Sequence, residues 1–293
     1  VQVLADNHGS ILHLGERECS IQRRYQKIIE ECPSPRIDDA TRDKITSAAV
    51  NLAKQINYQS AGTVEFLMDD MTGEFWFLEM NTRLQVEHPV TEMITGIDLV
   101  QKQFEVAAGM HLGLTQSDIG ITGHAMEARI YAEDPSKGFL PAIGRLAMWQ
   151  APQGPGIRVD TGVREGDEVT VDFDPMLAKL IVHAPSRTAA ARRLDIALSN
   201  LHALGVTTNI GFLRQMASNP TFLSGGITTD YLDSTPISEF AEPEPDHATL
   251  VAIAAAANRF GLDRAGTGGV ESIIDEHTGH SGDPFRTLSR SFP

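Results

Sequence analysis

Two short segments, each carrying a glutamate among bulky apolar residues, constrain the fold of this chain more than any other feature. Residues 63–67 (TVEFL) and 77–81 (FLEMN) have the composition of β-strands, and a polar turn that ends in Gly73 separates them. Because side chains alternate between the two faces of a strand, a hairpin with its turn near Thr72 places Glu65 directly across from Glu79. Asn81 then shares the face of Glu79.

Two carboxylates opposite each other repel, and a bound cation is the simplest compensation. Glu65, Glu79 and Asn81 offer only oxygen ligands, which suit Mg²⁺ or Mn²⁺ with phosphate oxygens completing the shell. The alternative is an exposed hairpin face with spare charge. Spacing alone does not separate the two interpretations.

The segment 81–89 (NTRLQVEHP) places a cation, an amide and an acid close together. Arg83 can bind a small planar oxyanion through two parallel hydrogen bonds, and we expect it in the same cleft as the two facing acids. Glu87 can serve as a general base if its geometry permits. A surface loop of mixed charge would have the same composition, so that alternative stays open.

Four segments together resemble the biotin carboxylases, and the resemblance extends over roughly residues 1–233. They are residues 79–98, 19–27 (CSIQRRYQK), 127–135 (EARIYAEDP) and 173–179 (FDPMLAK). The resemblance implies an α+β fold, in which the C-terminal half of an ATP-grasp domain precedes the biotin carboxylase C-terminal domain, a mixed β-sheet with helices.

The resemblance also implies a role for individual residues. The family's metal-binding positions fall on Glu65 and Glu79, with Asn81 beside them, and its bicarbonate-binding positions fall on Lys27, Arg83, Gln85 and the backbone of Val86. The general base of the family corresponds to Glu87, and the residue that stabilises the biotin enolate corresponds to Arg129. The positions that contact the nucleotide correspond to Gln22 and Tyr25. Many members have histidine where this chain has Tyr25, which leaves that ribose contact open. Taken singly, Lys27 could be a solvated lysine and Arg129 could simply pair with Glu127 or Glu133.

The cofactors and partners implied by the family follow from its reaction. ATP, with Mg²⁺ or Mn²⁺, phosphorylates bicarbonate to carboxyphosphate, and the carboxyl group passes to biotin. No lysine between two methionines occurs in the chain, so biotin must come on a separate carrier segment. The expected partners are therefore a biotin carboxyl carrier domain, a carboxyltransferase subunit and a second copy of the chain.

The type of carboxylase is less constrained. Pro89 and Gly96 favour an acyl-CoA carboxylase alpha subunit of the acetyl- or propionyl-CoA type. A pyruvate carboxylase, a carbamoyl-phosphate synthase half and a non-catalytic, partner-binding remnant are the alternatives. The chain starts without methionine inside an apolar run, and no glycine-rich lid precedes the matched segments. We therefore expect an N-terminally truncated chain that is inactive in isolation.

Composition limits the other function classes. A net charge of −15 disfavours nucleic acid, and no apolar run approaches the roughly 18 residues that a membrane span needs. Cys19 and Cys32 show no metal-binding or disulfide pattern, which fits a reducing compartment. The expected location is the cytoplasm, or the mitochondrial matrix in a eukaryote.

The resemblance to the biotin carboxylases, together with the pattern of apolar residues and turn signals, implies three parts of the chain. We predict ATP-grasp structure over 1–112, the C-terminal domain over 113–238, and a linker with the partly disordered start of a following region over 239–293. The predicted hairpins are 1–14 and 63–80, and the other predicted strands are 124–131, 144–149, 157–160, 168–171 and 177–182. The predicted helices are 38–57, 97–108, 188–204, 211–217 and 247–260.

Overall fold

The two acidic strands predicted from the sequence form one edge of an antiparallel sheet in the computed structural model, which describes residues 1–236 and 251–256. The strands of the described residues are β1 (Gln2–Ala5), β2 (Ile11–His13), β3 (Glu18–Arg23), β4 (Gln26–Cys32), β5 (Ser60–Met68), β6 (Phe75–Asn81), β7 (His124–Tyr131), β8 (Glu133–Asp134), β9 (Leu140–Pro141), β10 (Gly144–Arg145), β11 (Met148–Gln150), β12 (Ile157–Thr161), β13 (Glu168–Val169), β14 (Met176–Ala184) and β15 (His202–Leu204). The helices between them are α1 (Asp39–Gln55), α2 (His88–Thr95), α3 (Leu99–Ala107), α4 (Arg187–Ser199), α5 (Ile210–Ala217), α6 (Pro220–Leu223) and α7 (Tyr231–Ser234).

The first sheet has the strand order β2-β1-β5-β6 and lies between two helices. On one face, Ile45 of α1 belongs to the same buried cluster as Val3 of β1. On the other face, Leu99 of α3 belongs to the same buried cluster as Leu4. Because neighbouring residues of a strand point to opposite faces, β1 is buried on both sides. The packed centre of the sheet therefore fixes the position of β5, which carries Glu65, and of the edge strand β6, which carries Glu79.

The second sheet has the order β12-β14-β7-β4-β3, and its central strand β7 is buried along its whole length. Helix α2 packs on one face through Val90 and Ile94, beside Ala125 of β7. Helix α4 packs on the other face through Leu194, beside Leu180 of β14. Strands β3 and β4 precede residue 112, whereas the other three strands follow it. The sheet thus joins the two segments predicted as separate domains, and the boundary near residue 112 stays a prediction.

Most of the predicted elements are present. The hairpin of β1 and β2, the hairpin of β5 and β6, and strand β7 agree with the sequence predictions. Helix α1 begins where predicted because the Asp38 carboxylate accepts a hydrogen bond from the backbone N–H of Thr41, as an N-cap residue does. In the described ranges, no helix combines the length and the apolar character that a membrane crossing requires.

Two predicted boundaries are wrong. Helix α4 ends at Ser199 and does not reach Leu204, because residues 202–204 form β15 and pair with β11. Pairing with a neighbouring strand here outweighs the helical pattern of the sequence. The predicted strand 144–149 is divided into β10 and β11, which pair with different partners, β13 and β15.

Two elements near the site were missed by the sequence predictions, namely the hairpin of β3 and β4 and the helix α2. Pro89 lies in the first turn of α2 and Gly96 ends it in a left-handed conformation, so both ends carried a recognisable signal. Of the predicted helix 247–260, residues 251–256 are helical and belong to a separate unit. The rest of that helix, and nearly all of the region 239–293, lie outside the described residues.

Candidate active site

The acidic hairpin has the register that the sequence predicts. Glu65 of β5 lies directly opposite Glu79 of β6. The side-chain amide of Asn81 donates hydrogen bonds to both carboxylates, at 3.2 Å to Glu65 Oε1 and 2.7 Å to Glu79 Oε1. Both acids therefore point to the same face, and one amide holds them together.

The two facing acids and Asn81 supply part of the ligand shell that a divalent ion needs. Among the described residues, no group of three or more His, Cys, Asp or Glu side chains is placed to hold a metal ion. Glu65 and Glu79 nevertheless supply hard oxygen donors, and Asn81 adds an amide beside them. Two carboxylates and one amide fit Mg²⁺ or Mn²⁺ as a partial shell, because Mg²⁺ is commonly held by one or two carboxylates together with water and phosphate oxygens.

Lys27 lies on β4 and bridges the two sheets through its ammonium group. Its Nζ atom contacts Glu65 Oε1 at 2.9 Å and Glu87 Oε1 at 2.7 Å. Burial alone would lower the pKa of Lys27, but the negative charge around it, with Glu87 and Glu65 in direct contact, raises that pKa above its usual range. Lys27 is therefore a permanent positive charge between a candidate metal ligand and a candidate base.

Glu87 is a buried carboxylate held between two cations. The residue lies at the end of the loop before α2 and is 1% exposed. One carboxylate oxygen contacts Lys27, and Oε2 accepts a hydrogen bond from Arg129 Nη2 at 2.9 Å. Burial raises the pKa of Glu87, but the positive charges of Arg17, Lys27 and Arg129 outweigh it and bring that pKa to about 2. In this state the carboxylate is fully ionised and weakly basic.

Arg129 points from the central strand β7 towards two acids. Its Nε atom donates to Glu30 Oε1 at 2.6 Å, and its Nη2 atom contacts both Glu30 and Glu87. Glu30 is completely buried, and this burial raises its pKa to about 7. Glu127 lies opposite Glu30 in the sheet, and burial raises the pKa of its carboxyl group well above the usual range. The guanidinium of Arg129 thus lies close to two neighbouring acids, Glu30 and Glu127, whose pKa values are both raised.

A cavity of about 430 Å³ brings several of the predicted residues together. It is lined by both sheets and by the loop before α2. The predicted site residues along its wall are Gln22, Lys27, Glu65, Gln85 and Glu87. Inside the cavity wall, Gln85 Nε2 donates to Glu65 Oε1 at 2.6 Å, which connects the candidate bicarbonate and metal positions.

Other predicted residues lie apart from this cluster. Arg83 is exposed and is not among the described residues that line the cavity, and its guanidinium donates to the carbonyl of the adjacent Leu84 at 3.3 Å. Tyr25 is 94% exposed and has a left-handed conformation at the turn between β3 and β4. Val86 presents its carbonyl to Lys179 Nζ at 2.8 Å. The roles suggested for Arg83, Tyr25 and Val86 stay predictions.

Three side chains at the site were not singled out from the sequence. They are Arg17, which donates to Gln85, Lys179, which holds the carbonyl of Val86, and Glu30, which holds Arg129. Lys179 belongs to a segment that already resembled the family, so its position was a usable signal. Arg17 and Glu30 lie in stretches of ordinary mixed charge, and only the folded chain shows what they contact.

Family models match most of the described chain. Residues 1–115 match the carbamoyl-phosphate synthase L chain, ATP binding domain, and residues 127–234 match the biotin carboxylase C-terminal domain. Together with the mixed sheets and helices, these matches define an ATP-grasp protein of the α+β class.

Individual relatives narrow that class. The chain is 52% identical over 234 residues to methylcrotonoyl-CoA carboxylase subunit alpha, mitochondrial, of Glycine max, which covers 80% of this chain and 32% of the relative. It is 49% identical over 231 residues to the biotin carboxylase of Nostoc, which covers 79% of this chain and 52% of the relative. The chain therefore belongs to the biotin carboxylases, in the group that includes acyl-CoA carboxylase alpha subunits. It spans between about a third and a half of the length of these two relatives.

A solved structure agrees with this assignment. The biotin carboxylase domain dimer of Hydrogenobacter thermophilus 2-oxoglutarate carboxylase, in complex with MgADP, ADP and bicarbonate, matches with a TM-score of 0.80 and 46% identity. The match covers 83% of this chain and 53% of that chain. The fold predicted from the sequence resemblance is thereby confirmed.

Proposed function

We propose that this chain forms the metal- and bicarbonate-binding part of a site that carboxylates biotin with ATP and bicarbonate, as in an acyl-CoA carboxylase alpha subunit. The observation that carries the proposal is the position of Glu87, a buried carboxylate between the ammonium group of Lys27 and the guanidinium group of Arg129. Such a position suits anionic substrates, because an entering anion can compete with Glu87 for both cations.

The hairpin acids take the metal in this proposal. Glu65 and Glu79, with Asn81 beside them, would hold Mg²⁺ or Mn²⁺ together with phosphate oxygens of ATP. When bound, the ion supplies positive charge that offsets the charge of the phosphates. Gln22 lines the cavity and would contact the ribose, and Tyr25 would add a second contact from the turn.

Bicarbonate would bind between Lys27, Gln85 and the backbone N–H of Val86, with Arg83 turning in from the surface. A bicarbonate oxygen then attacks the γ-phosphorus of ATP, and ADP leaves. The product, carboxyphosphate, breaks down to CO₂ and phosphate. Lys27 would offset the negative charge that accumulates on the transferring phosphoryl group.

Glu87 is the proposed base for bicarbonate. A general base works best with a pKa near the operating pH, whereas the positive charges of Arg17, Lys27 and Arg129 hold the pKa of Glu87 at about 2. When bicarbonate and phosphate engage Lys27 and Arg129, the carboxylate loses part of this stabilisation and its pKa rises. Substrate binding would thus make Glu87 basic at the moment a base is needed.

Arg129 is the proposed partner of biotin. The phosphate released from carboxyphosphate takes the N1 proton of the ureido group, and the resulting enolate attacks CO₂ through N1. The guanidinium of Arg129 would stabilise the negative charge on the ureido oxygen. Because Glu30 and Glu87 hold the guanidinium from two sides, its orientation is set before biotin arrives.

The partners follow from the reaction. Biotin would arrive on a carboxyl carrier domain, and a carboxyltransferase subunit would use the carboxybiotin. We also propose a homodimer, located in the cytoplasm or, in a eukaryote, in the mitochondrial matrix. Because the chain spans 52% of the Nostoc biotin carboxylase, the 293 residues alone should have negligible activity.

The test is cleavage of ATP that depends on both bicarbonate and biotin, measured on the complete polypeptide that contains this sequence. The wild type should show turnover, and Glu87→Gln should lower kcat by roughly a hundredfold or more. Glu165→Gln is the control, because Glu165 is exposed and lies outside the cavity. A complete polypeptide that cleaves ATP equally well without bicarbonate would contradict the proposal. Robust turnover by the 293-residue chain would contradict only its incompleteness.

A further inference from the structure

Arg17 lies between β2 and β3, where the chain passes from the first sheet to the second, and it lines the cavity. All four of its terminal N–H groups are used. Nη1 donates to Gln2 Oε1 at 2.8 Å and to Thr91 Oγ1 at 3.1 Å. Nη2 donates to Thr63 Oγ1 at 2.9 Å and to Gln85 Oε1 at 2.8 Å.

The four acceptors of Arg17 share the property that none of them carries a charge. Lys27 and Arg129, two other cations of the site, each contact two carboxylates. Within the described part of the chain, Arg17 forms no ion pair of this kind. A guanidinium that is satisfied in hydrogen bonds but not neutralised by a direct partner contributes positive potential to the cavity wall.

The contact with Gln85 has a directional consequence. Gln85 is buried, its Oε1 atom accepts from Arg17, and its Nε2 atom donates to Glu65 Oε1 at 2.6 Å. If the amide were flipped, its NH₂ group would face the donors of Arg17 and its oxygen would face the carboxylate of Glu65. Both contacts would be repulsive. Arg17 therefore keeps the NH₂ group of Gln85 directed into the cavity, where the second hydrogen of Nε2 is available to an anion.

We propose that Arg17 is a positioning residue for the oxyanion substrate, which fixes the amide of Gln85 as a hydrogen-bond donor and contributes an unpaired positive charge to the anion pocket. This inference rests on the proposed function, because it assigns a further determinant of bicarbonate binding at the same site. Bicarbonate, a small planar anion, is the ligand whose affinity depends on Arg17.

A purely structural role for Arg17 predicts a different outcome, because its four contacts also connect β1, β5 and α2. Loss of such a connection lowers stability and disturbs every substrate alike. A positioning role acts on the anion alone. The Michaelis constant for bicarbonate must then rise while the constant for ATP stays nearly unchanged.

The experiment uses the complete polypeptide and compares Arg17→Lys with wild type. Lysine keeps the charge but has a single nitrogen, so it cannot reach all four acceptors. We expect KM for bicarbonate to rise by roughly tenfold to a hundredfold, as for the loss of a hydrogen bond to a charged group, and KM for ATP to stay within about twofold. Arg214→Lys is the matched control, because Arg214 of α5 forms an exposed pair with Asp195 of α4. It should leave both constants unchanged.

A double-mutant cycle shows whether Arg17 acts through Gln85. Gln85→Met removes the amide, so Arg17→Lys in that background should raise KM for bicarbonate by less than about threefold further. Arg17→Ala provides a second route, because added guanidinium ion should restore part of its bicarbonate affinity. Additive effects in the cycle, or no rescue, would overturn the proposal.

Two further results would also be decisive. Equal rises of KM for bicarbonate and ATP, together with a lower melting temperature, would assign Arg17 a structural role only. An Arg17→Lys variant that does not fold leaves the decision to the Arg17→Ala rescue. Wild-type protein without bicarbonate-dependent ATP cleavage would remove the proposed function and this inference together, whereas an active wild type with a normal Arg17→Lys variant would remove this inference alone.

Discussion

Replacing Glu87 by glutamine tests the electrostatics at the centre of the site. The carboxylate is buried and contacts Lys27 at 2.7 Å and Arg129 at 2.9 Å. A glutamine has one oxygen to accept from one cation, and its NH₂ group then faces the donors of the other. Breaking a buried charge pair in this way costs about 3 to 5 kcal/mol of unfolding free energy.

The pKa of Glu87 supports the same magnitude. A fall from 4.5 to about 2 corresponds to about 3 kcal/mol of stabilisation of the ionised form, at about 1.4 kcal/mol for each pKa unit. Because the folded-state pKa lies below the unfolded value, this stabilisation is complete well above pH 4.5 and is lost as the pH falls towards 2. The difference between wild type and Glu87→Gln should therefore be about 3 kcal/mol at pH 7 and about half of that at pH 3.

The assay is urea unfolding of the 293-residue chain, followed by circular dichroism at several pH values from 7 to 3. Glu165→Gln is the control, because Glu165 is exposed, and it should change the unfolding free energy by no more than about 0.5 kcal/mol. Equal stability of wild type and Glu87→Gln at pH 7 would refute the reasoning. A difference that does not shrink on acidification would refute it as well, because it would not come from the ionised carboxylate.

Three further predictions concern other parts of the site and the fold. Glu79→Gln removes one of the two facing carboxylates and should weaken Mn²⁺ binding in the presence of ADP by about tenfold. The measurement is an electron paramagnetic resonance titration of the complete polypeptide with Mn²⁺. An unchanged titration would argue against a metal site on the hairpin. Asn209→Leu removes two buried hydrogen bonds, one donated to the carbonyl of Arg129 and one accepted from the N–H of Tyr131. It should lower the unfolding free energy, measured in urea, by at least about 2 kcal/mol. A loss below about 0.5 kcal/mol, which is the size expected for a surface substitution, would contradict this prediction. The thiol of Cys32 is completely buried and should react with a thiol reagent only when the chain unfolds, so rapid labelling of the native protein at this residue would be inconsistent with the fold.

The hairpin of β5 and β6 shows how far sequence reasoning reaches. Its turn length and alternating pattern were enough to pair Glu65 with Glu79, because the side-chain period of a strand leaves little freedom once the turn is placed. Lys27 was identified only through resemblance to the family. Its two carboxylate partners lie 38 and 60 residues further along the chain, and no local pattern contains that contact.

For Arg83, the sequence did not determine where the side chain lies. The sequence predicts an arginine beside the acids, whereas the folded chain directs its guanidinium to the carbonyl of Leu84 at the surface. A long, flexible side chain in a loop has many rotamers of similar energy, so its sequence position does not determine its direction. For Arg17, nothing in the local sequence indicates a role, and only the fold brings it into contact with Gln85 and three other residues.

By itself, the amino-acid sequence determined the family, the strand pairing around the two facing acids and the residue types available for chemistry, because these depend on local periodicity and on segments that remain contiguous. Only the tertiary structure decided that Glu87 lies between Lys27 and Arg129 and that its pKa falls to about 2. That outcome depends on charges brought from different strands into one buried volume, where their distances and the exclusion of water set the energy.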